Sequence, residues 1–205
     1  MAKVYKIKTE RLVIRCYHPA DAPLLQKSVQ ENIAHLLPWM PWVKQEPETL
    51  ETKTERLRRF RGNFDLDKDY FFGIFNPEEN FLIGSTGMHT RAGDGAREIG
   101  YWIHKDYINQ GYATETVKAL TKIGFEVEGL ERLEIRCDPD NTRSKKIPPK
   151  LGYIHEATLK NRDIDSEGKP RDVMIWTLFK DAYFKNPLNL FELEAYDAAD
   201  QLIQF

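Results

Sequence analysis

Short runs in which apolar and polar residues alternate recur along the chain, and they predict a series of β-strands. The clearest runs lie at residues 10–17, 70–75, 81–90, 98–103, 133–137, 152–159 and 172–179. Turns that carry Asn-Pro or Gly-Asp-Gly separate the second, third and fourth runs, so we expect these strands to be antiparallel neighbours. The charged loop at 160–171 predicts a hairpin of the last two strands.

Apolar residues at helical spacing predict helices between the strands. One helix begins at Pro19, and others are expected at 47–61 and 113–128. The last of these connects the strands at 98–103 and 133–137, and a crossover of this length predicts that the two strands are parallel. The pattern predicts an α+β (mixed α/β) fold: a central mixed, mostly antiparallel sheet of six to seven strands flanked by helices.

The final segment, residues 187–205, combines apolar residues at helical spacing with acidic residues between them. The apolar positions are Phe191, Ala195, Ala198, Leu202 and Phe205. This pattern predicts an amphipathic C-terminal helical extension of a single domain that spans residues 1–205. The extension is expected either to dock on its own domain or to form the contact of a homodimer.

The segment at 32–42 is apolar, rich in aromatic residues and bent by Pro38 and Pro41. Such a stretch is either part of the core or the wall of a binding cleft. Trp39 and Trp42 are the candidate wall residues, together with His89 at the end of its strand.

Composition narrows the class of protein. The chain has 205 residues, of which 41% are hydrophobic and 30% charged, with a formal net charge of −2, so general nucleic-acid binding is not expected. Cys16 and Cys137 lie in apolar runs and are expected to be buried thiols in a reducing compartment. Because no 18-residue apolar run occurs, we expect no membrane segment and a cytoplasmic location. We also expect no metal, since no His/Cys group has the spacing of metal ligands.

One stretch, residues 98–115, carries the strongest chemical signal. It is a short apolar strand, then the polar turn Asn109-Gln110-Gly111, then the beginning of a helix. The free N–H groups and the positive end of the dipole make a helix N-terminus an anion site, and a diphosphate is the usual anion. The stretch therefore predicts a binding site for a phosphate-bearing cofactor.

Four motifs in order give the chain a resemblance to the GNAT family of acyl-CoA-dependent N-acetyltransferases. Within that family it resembles the branch that acetylates the N-terminal alanine or serine of ribosomal proteins. The motifs are Thr9-Glu-Arg-Leu-Val-Ile-Arg15, Glu98-Ile-Gly-Tyr-Trp-Ile103, Gln110-Gly-Tyr-Ala-Thr-Glu115 and Asn141-Thr-Arg-Ser-Lys-Lys146 with Lys150-Leu-Gly-Tyr153. The resemblance implies a GNAT-like fold and acetyl-CoA as cosubstrate.

The resemblance also implies which residues bind the cofactor. The residues expected at the diphosphate loop are Ile108, Asn109, Gln110, Gly111, Tyr112, Ala113 and Thr114. Ile108 departs from the Gln or Arg that is usual in the family. Trp102, Ile103 and His104 are expected to pair with the pantetheine arm as a strand pairs with its neighbour, and Asn141 to bond the same arm. Arg143 and Lys146 are expected either at the 3′-phosphate or as solvated surface.

Two side chains are the candidates for catalysis. Glu98 on the central strand is hypothesised to take the proton of the acceptor amine, with a structural salt bridge as the alternative. Ser144 is hypothesised to give a proton to the leaving thiolate, with capping of a helix N-terminus as the alternative. Pro148 and Pro149 are expected to shorten the helix that carries Ser144.

The acceptor is the least determined part of the prediction. The leading hypothesis is that the acceptor is the N-terminal amine of a ribosomal protein. This amine is expected to enter between Trp39, Trp42 and His89. A small amine, such as a polyamine or an antibiotic, is the second hypothesis. The third is a non-catalytic acyl-CoA-binding module, which Ile108 and the two prolines would favour.

Overall fold

A computed structural model describes residues 4–205, and within this range the strands form a single sheet. The strands are β1 (Lys6–Lys8), β2 (Val13–Cys16), β3 (Tyr70–Phe75), β4 (Leu82–His89), β5 (Ala96–Ile103), β6 (Arg132–Cys137), β7 (Ile154–Ile164), β8 (Pro170–Phe179) and β9 (Glu194–Tyr196). Their order in the sheet is β7-β8-β6-β5-β4-β3-β2-β1-β9. The predicted α+β class and the mixed, mostly antiparallel sheet are confirmed, with nine strands in place of six to seven.

The strand pairing follows the predicted pattern. β3, β4 and β5 are antiparallel neighbours, and β7 and β8 form the predicted hairpin. β5 and β6 are parallel, as expected from the helical crossover between them. The two strands that sequence patterning missed, β1 and β9, have three residues each and pair with one another at the edge of the sheet.

The helix predicted for residues 187–205 is wrong. This segment contains a 3₁₀ turn (Pro187–Leu190) and β9, and Ile203 donates back to the carbonyl of Ala195 at 2.8 Å. The carboxylate of Asp197 accepts the backbone N–H groups of Ala199 and Gln201, which bends the chain where a helix would have continued. Only Ala195 of the predicted apolar face is fully buried, so the tail docks on its own sheet as a strand.

Seven short or medium helices flank the sheet in the described range. They are α1 (Ala22–Gln30), α2 (Ile33–Leu36), α3 (Leu50–Asp65), α4 (Tyr112–Lys122), α5 (Thr142–Lys145), α6 (Ile147–Lys150) and α7 (Lys180–Tyr183). A π-helical turn, Ile123–Val127, extends α4, and a 3₁₀ helix, Pro41–Gln45, precedes α3. The predicted interruption by Pro148 and Pro149 falls in the first turn of α6, directly after α5 ends.

Two hydrophobic clusters lie on opposite faces of the sheet. Consecutive strand residues alternate between them: Ile14 and Ile103 pack with α4, whereas Val13 and Trp102 pack with α1, α2 and α3. We call the first the cofactor face, since α4 follows the predicted cofactor loop, and the second the acceptor face, since the predicted acceptor residues Trp42 and His89 lie there. The segment at 32–42 contributes Leu36 to the core of the acceptor face.

A gap between β5 and β6 positions the site. Their parallel pairing covers only four positions and ends at Ile99 and Ile135, although β5 continues to Ile103. β6 remains paired with β8 over its whole length. The edge of β5 from Gly100 to Ile103 is therefore open, and the loop into α4 follows directly.

Candidate active site

The loop between β5 and α4 has the backbone conformation of an anion site. Asn109 and Gly111 both adopt positive φ angles, of 61° and 86°, and Gly111 is the N-cap of α4. The first helical hydrogen bond runs from the N–H of Glu115 to the carbonyl of Gly111, so the preceding amides have no acceptor within the helix. Asn109, Gln110 and Gly111 are exposed, which leaves these N–H groups accessible to a diphosphate.

Ile108 does not face the ligand side of this loop. It is half-buried and packs on the core of the cofactor face with Tyr112 and Ala113. A 3₁₀ turn, Lys105–Tyr107, precedes it, and the side chain of Gln110 closes the loop by donating to the carbonyl of Asp106 at 2.9 Å. The family's polar residue is thus replaced by an apolar anchor, while the amide donors remain.

Arg11 holds the loop from the opposite side. Its Nε donates to Oε2 of Glu115 at 2.8 Å, its Nη1 donates to the carbonyl of Gln110 at 3.1 Å, and its guanidinium lies 4.4 Å from the ring centroid of Tyr112. Thr9 donates to the other carboxylate oxygen of Glu115 at 2.6 Å. The motif at residues 9–15 therefore neutralises a carboxylate that lies in the first turn of α4, next to the anion site.

Of the three residues at the end of β5 that are expected to pair with the cofactor arm, Ile103 has its backbone free to do so. The N–H of His104 already donates to Ile83 on β4, and strand amides alternate in direction, so Ile103 directs its N–H and C=O to the open edge. His104 itself is 1% exposed, and its Nε2 lies 3.1 Å from a carboxylate oxygen of Glu31. The side chain of Trp102 packs in the acceptor-face core.

The second cofactor element begins directly after β6. Asn141 caps α5, and its Oδ1 accepts the N–H of Ser144 at 3.1 Å, which leaves the amide nitrogen of the side chain for another partner. Arg143 and Lys146 are both exposed on this turn. Lys145 points back and donates to the carbonyl of Pro139 at 2.6 Å.

The hydroxyl of Ser144 lies 3.0 Å from the hydroxyl of Tyr101, which belongs to the open part of β5. Burial raises the pKa of Tyr101 well above its usual value, so the phenol stays protonated. The indole Nε1 of Trp176 is buried in the same region without a hydrogen-bond partner among the described residues. The gap thus contains two hydroxyls and a spare N–H donor, which fits a thioester and its leaving thiolate.

Glu98 lies on the acceptor face, one residue before the pairing of β5 and β6 ends, and is 4% exposed. Arg91 binds it with two donors, including Nε at 2.8 Å, and Nε of Arg136 lies 3.4 Å away. Because guanidinium groups engage both carboxylate oxygens, this geometry favours the salt-bridge alternative over the general-base hypothesis.

Trp39, Trp42 and His89 all lie on the acceptor face, in different surroundings. Trp42 is half-buried against the core, and His89 lies at the end of β4, where Asp69 binds its ring. The carbonyl of Trp39 accepts a hydrogen bond from Nη1 of Arg171 at 3.3 Å, and Arg171 also pairs with Asp163 at 2.6 Å. Arg171 therefore ties the β7–β8 hairpin to the segment at 32–42.

A groove of about 450 Å³ lies on the sheet beside Glu98, outside the helices of the acceptor face. Its lining residues are Arg132, Glu134, Arg136, Glu156, Ala157, Ile175 and Phe179. Glu134 is 7% exposed and is bound by Arg132 at 3.3 Å and by Arg136 at 3.0 Å. Of the two carboxylates that line the groove, Glu134 is neutralised by arginines and Glu156 accepts a hydrogen bond from Thr177. Glu98, beside the groove, is also neutralised by arginines.

Sequence reasoning missed Arg11, Tyr101 and the arginine partners of Glu98. Arg11 and Tyr101 lie inside the motifs already quoted, and strand alternation alone places Tyr101 on the face opposite Glu98. Arg91 comes from the connection between β4 and β5 and Arg136 from β6, so local spacing gave no signal for them.

Residues 4–205 contain no cluster of three or more His, Cys, Asp or Glu side chains arranged to bind a metal ion. No helix in this part of the chain has the length and apolarity that crossing a membrane requires. Cys16 and Cys137 are buried free thiols, as predicted.

Comparison with known proteins confirms the expected family. The model of the acetyltransferase (GNAT) domain matches residues 11–154. The [ribosomal protein uS5]-alanine N-acetyltransferase of Escherichia coli is 27% identical over 159 residues, which are 76% of this chain and 81% of that protein.

Two solved structures have the same fold. A ribosomal-protein-S5-alanine acetyltransferase from Vibrio fischeri superposes with a TM-score of 0.75 at 22% identity, over 87% of this chain and 98% of that one. An acetyltransferase of the ribosomal L7/L12 α-amine, in complex with coenzyme A, superposes with a TM-score of 0.76 at 21% identity, over 85% of this chain and 97% of that one. The chain belongs to the GNAT family of acetyltransferases, enzymes whose acetyl donor is acetyl-CoA.

Proposed function

We propose that this enzyme acetylates the N-terminal α-amine of a protein and that its acceptor is a ribosomal protein, which would place the reaction in the cytoplasm. The E. coli relative that modifies an alanine of uS5 supports this acceptor class. The observation that carries the proposal is the charge of the acceptor face. Glu98 and Glu134, the buried carboxylates at the groove, are each paired with arginine.

This pairing argues against a polycationic acceptor. A polyamine or an aminoglycoside brings several positive charges and is best bound by unpaired carboxylates. At this groove a polycation would be repelled by Arg91, Arg132 and Arg136, which lie beside the paired carboxylates of Glu98 and Glu134. A polypeptide N-terminus brings one amine followed by backbone amides, and a neutral, open groove suits it better.

We assign the cofactor contacts from the loop and the open strand. The amides of residues 110–114 would hold the diphosphate, and the backbone of Ile103 would pair with the pantetheine arm, which the side-chain nitrogen of Asn141 would also bond. Arg143 and Lys146 are exposed on the turn that follows and would pair with the 3′-phosphate.

The chemistry requires a neutral amine, a polarised carbonyl and a proton for the leaving thiolate. An α-amine has an ordinary pKa of about 7.7–8.0, so a modest base is sufficient near neutral pH. A backbone N–H on the open edge of β5 would polarise the carbonyl. Ser144, backed by the protonated hydroxyl of Tyr101, would give its proton to the thiolate.

The direct test is thiol release from acetyl-CoA in the presence of a panel of acceptors. We expect turnover with peptides that begin with Ala or Ser and little or none with polyamines or aminoglycosides. The matched control for each peptide is the same sequence with a blocked N-terminus, which should be inert. Turnover confined to polyamines would refute the proposed acceptor.

A further inference from the structure

His89 has a defined chemical environment that a passive cleft wall does not need. Its Nδ1 lies 3.0 Å and 3.2 Å from the two carboxylate oxygens of Asp69, and its side chain is 11% exposed. The N–H of Tyr70 donates to the same carboxylate at 3.1 Å and fixes it. Burial raises the pKa of Asp69, but the hydrogen bond and charge of His89, together with backbone hydrogen bonds, outweigh burial, so this pKa lies below its usual value.

An ionised Asp69 determines which ring nitrogen carries the proton. A carboxylate can only accept a hydrogen bond, so Nδ1 of His89 must donate to it. In the neutral imidazole, Nε2 then keeps its lone pair and can accept a proton. This ring also packs edge-on against Phe71, with 4.8 Å between the ring centroids, and the contact limits its rotation.

The ring lies over a pair of glycines on β4 and β5. A Cβ atom at Gly87 would stand 2.8 Å from Nε2, and one at Gly100 would stand 3.4 Å from it. Gly87 and Gly100 are register partners, and Gly100 is the first residue of β5 beyond its parallel pairing with β6. The two glycines therefore admit the imidazole at the place where an amine on the acceptor face reaches the open edge of β5.

We propose that His89, oriented by Asp69, is the general base that accepts the proton of the acceptor amine. This role rests on the proposed acetylation of an amine. The nitrogen–carbon bond forms and the carbon–sulfur bond breaks, while Nε2 takes the N–H proton and Ser144 protonates the thiolate. His89 then releases its proton to water, and the hydroxyl pair regains one, so the products are the amide and the free thiol.

The neighbouring charges leave this role to His89. Glu98 is its register partner on β5, but both of its oxygens bind arginine. Arg91 is compensated by Glu98, and Asp69 is compensated by the ring itself whenever the ring is protonated. These are the charged groups that β4, β5 and their adjoining turns present to the imidazole.

The kinetic test compares His89→Gln with wild type across pH, using the acceptor that gives turnover in the panel. We expect kcat/KM to fall by about 100-fold or more and the acidic limb of its pH profile to disappear, since glutamine cannot accept a proton. Asp69→Asn should also lower kcat/KM, because it removes the carboxylate that sets the tautomer. The affinity for coenzyme A, measured by calorimetry, should stay unchanged in both variants.

Two comparisons make the result decisive. Thr90→Val removes a neighbouring side-chain bond to Lys68 without touching the ring, and it should keep wild-type kinetics. If His89→Gln retains the acidic limb and Glu98→Gln loses it, then Glu98 is the base and the inference is wrong.

A second measurement is independent of any acceptor and therefore separates this inference from the proposed function. Nitrogen-15 NMR of the histidine rings at neutral pH should show His89 protonated on Nδ1 in wild type, with the preference lost in Asp69→Asn. A wild-type ring protonated on Nε2 would overturn the proposed role even if amines are acetylated.

Discussion

At the residue scale, the site is built from charges that are cancelled before a substrate arrives. Glu115 lies in the first turn of α4, where its negative charge would repel a diphosphate. Arg11 and Thr9 saturate that carboxylate, and Arg11 also holds the carbonyl of Gln110. The amide groups of the loop can then act on an anion without competition from the neighbouring carboxylate.

Arg11→Met should therefore weaken cofactor binding more than turnover. We expect KM for acetyl-CoA to rise about 10-fold or more, by analogy with a partly buried charge-assisted bond, while kcat changes little. Steady-state kinetics at saturating acceptor measure both constants.

The double variant Arg11→Met/Glu115→Gln provides the control. It should recover part of the lost affinity for coenzyme A, because the uncompensated carboxylate is gone. No recovery would mean that Arg11 acts only through the carbonyl of Gln110 and the ring of Tyr112.

The hydroxyl pair of Ser144 and Tyr101 gives a second prediction at this scale. Ser144→Ala should lower kcat by about 10- to 100-fold, with a smaller effect for Tyr101→Phe, since the donor to the thiolate is lost in the first and only supported in the second. Because burial raises the pKa of Tyr101, its phenol stays neutral at pH values where an exposed phenol begins to ionise, so Tyr101→Phe should leave the alkaline limb in place. Full kcat in Ser144→Ala would exclude Ser144 as the proton donor.

Local motifs account for the site residues that could be predicted. Asn109, Gly111 and Asn141 were identified because turn chemistry and helix capping are properties of a few adjacent residues. The pairing of Glu98 with Arg91 and Arg136 could not be predicted, since three separate elements bring these side chains together. The local sequence around a carboxylate on a central strand does not indicate whether that carboxylate is free or paired.

At the scale of elements, a buried charge cluster joins α3 to the 3₁₀ helix before it. The side chain of Lys53 is fully buried, as is that of Glu46, and Lys53 contacts both Glu46 and Glu48. This cluster fixes the end of the segment that carries Trp39 and Trp42. Removing one partner would leave uncompensated buried charge.

Lys53→Met should therefore destabilise the protein strongly, by about 3–5 kcal/mol, because Glu46 loses its counter-ion in the interior, whereas Glu48 keeps Arg56. Urea denaturation measures the change in the free energy of unfolding. Arg58→Met is the matched control, since the Arg58–Glu55 pair on the same helix is exposed and should contribute less than about 1 kcal/mol. Equal effects of the two substitutions would contradict the assigned role of the cluster.

The β7–β8 hairpin is the second element whose placement affects function. Arg171 connects it to the carbonyl of Trp39 and also pairs with Asp163 within the hairpin. Arg171→Met should raise KM for the acceptor severalfold while leaving KM for acetyl-CoA unchanged, because only the acceptor face is loosened. Arg162→Met, an exposed guanidinium on the same hairpin, is the comparison and should leave both constants unchanged. A shift in KM for acetyl-CoA in Arg171→Met would contradict this account.

Elements with strong alternation were predicted well, and the edge strands were not. β3, β4 and β5 carry enough apolar alternation to identify both strand and pairing. β1 and β9 have three residues each, and their pairing spans nearly the whole chain, so no local pattern reveals it. The tail has a helical apolar period, but Asp197 turns the chain and the edge of β1 provides strand partners instead.

At the scale of the whole molecule, the tail closes the sheet edge beside β1. The backbone N–H of Tyr5 donates to the carbonyl of Tyr196 at 2.8 Å, and Ala195 is fully buried. The expected docking on its own domain thus has a structural basis, while the contribution to a homodimer contact stays a prediction.

Removal of residues 187–205 should lower the melting temperature by roughly 5 °C, since burial of Leu188 alone contributes about 1.5–3 kcal/mol and each kcal/mol corresponds to about 2–4 °C in a chain of this size. Sedimentation of the full chain and the truncated chain tests the alternative. A smaller mass of the truncated assembly, beyond the residues removed, would show that the tail joins subunits. Unchanged melting would contradict the docking role.

The central claim is that one α-amine is acetylated beside a groove at which Glu98 and Glu134 are already paired with arginine. The most direct measurement is mass spectrometric mapping of the acetyl group on an Ala-initiated peptide that also contains an internal lysine. The account predicts acetyl-CoA-dependent modification of the N-terminal nitrogen alone. Modification of the lysine side chain, with the N-terminus left free, would contradict it.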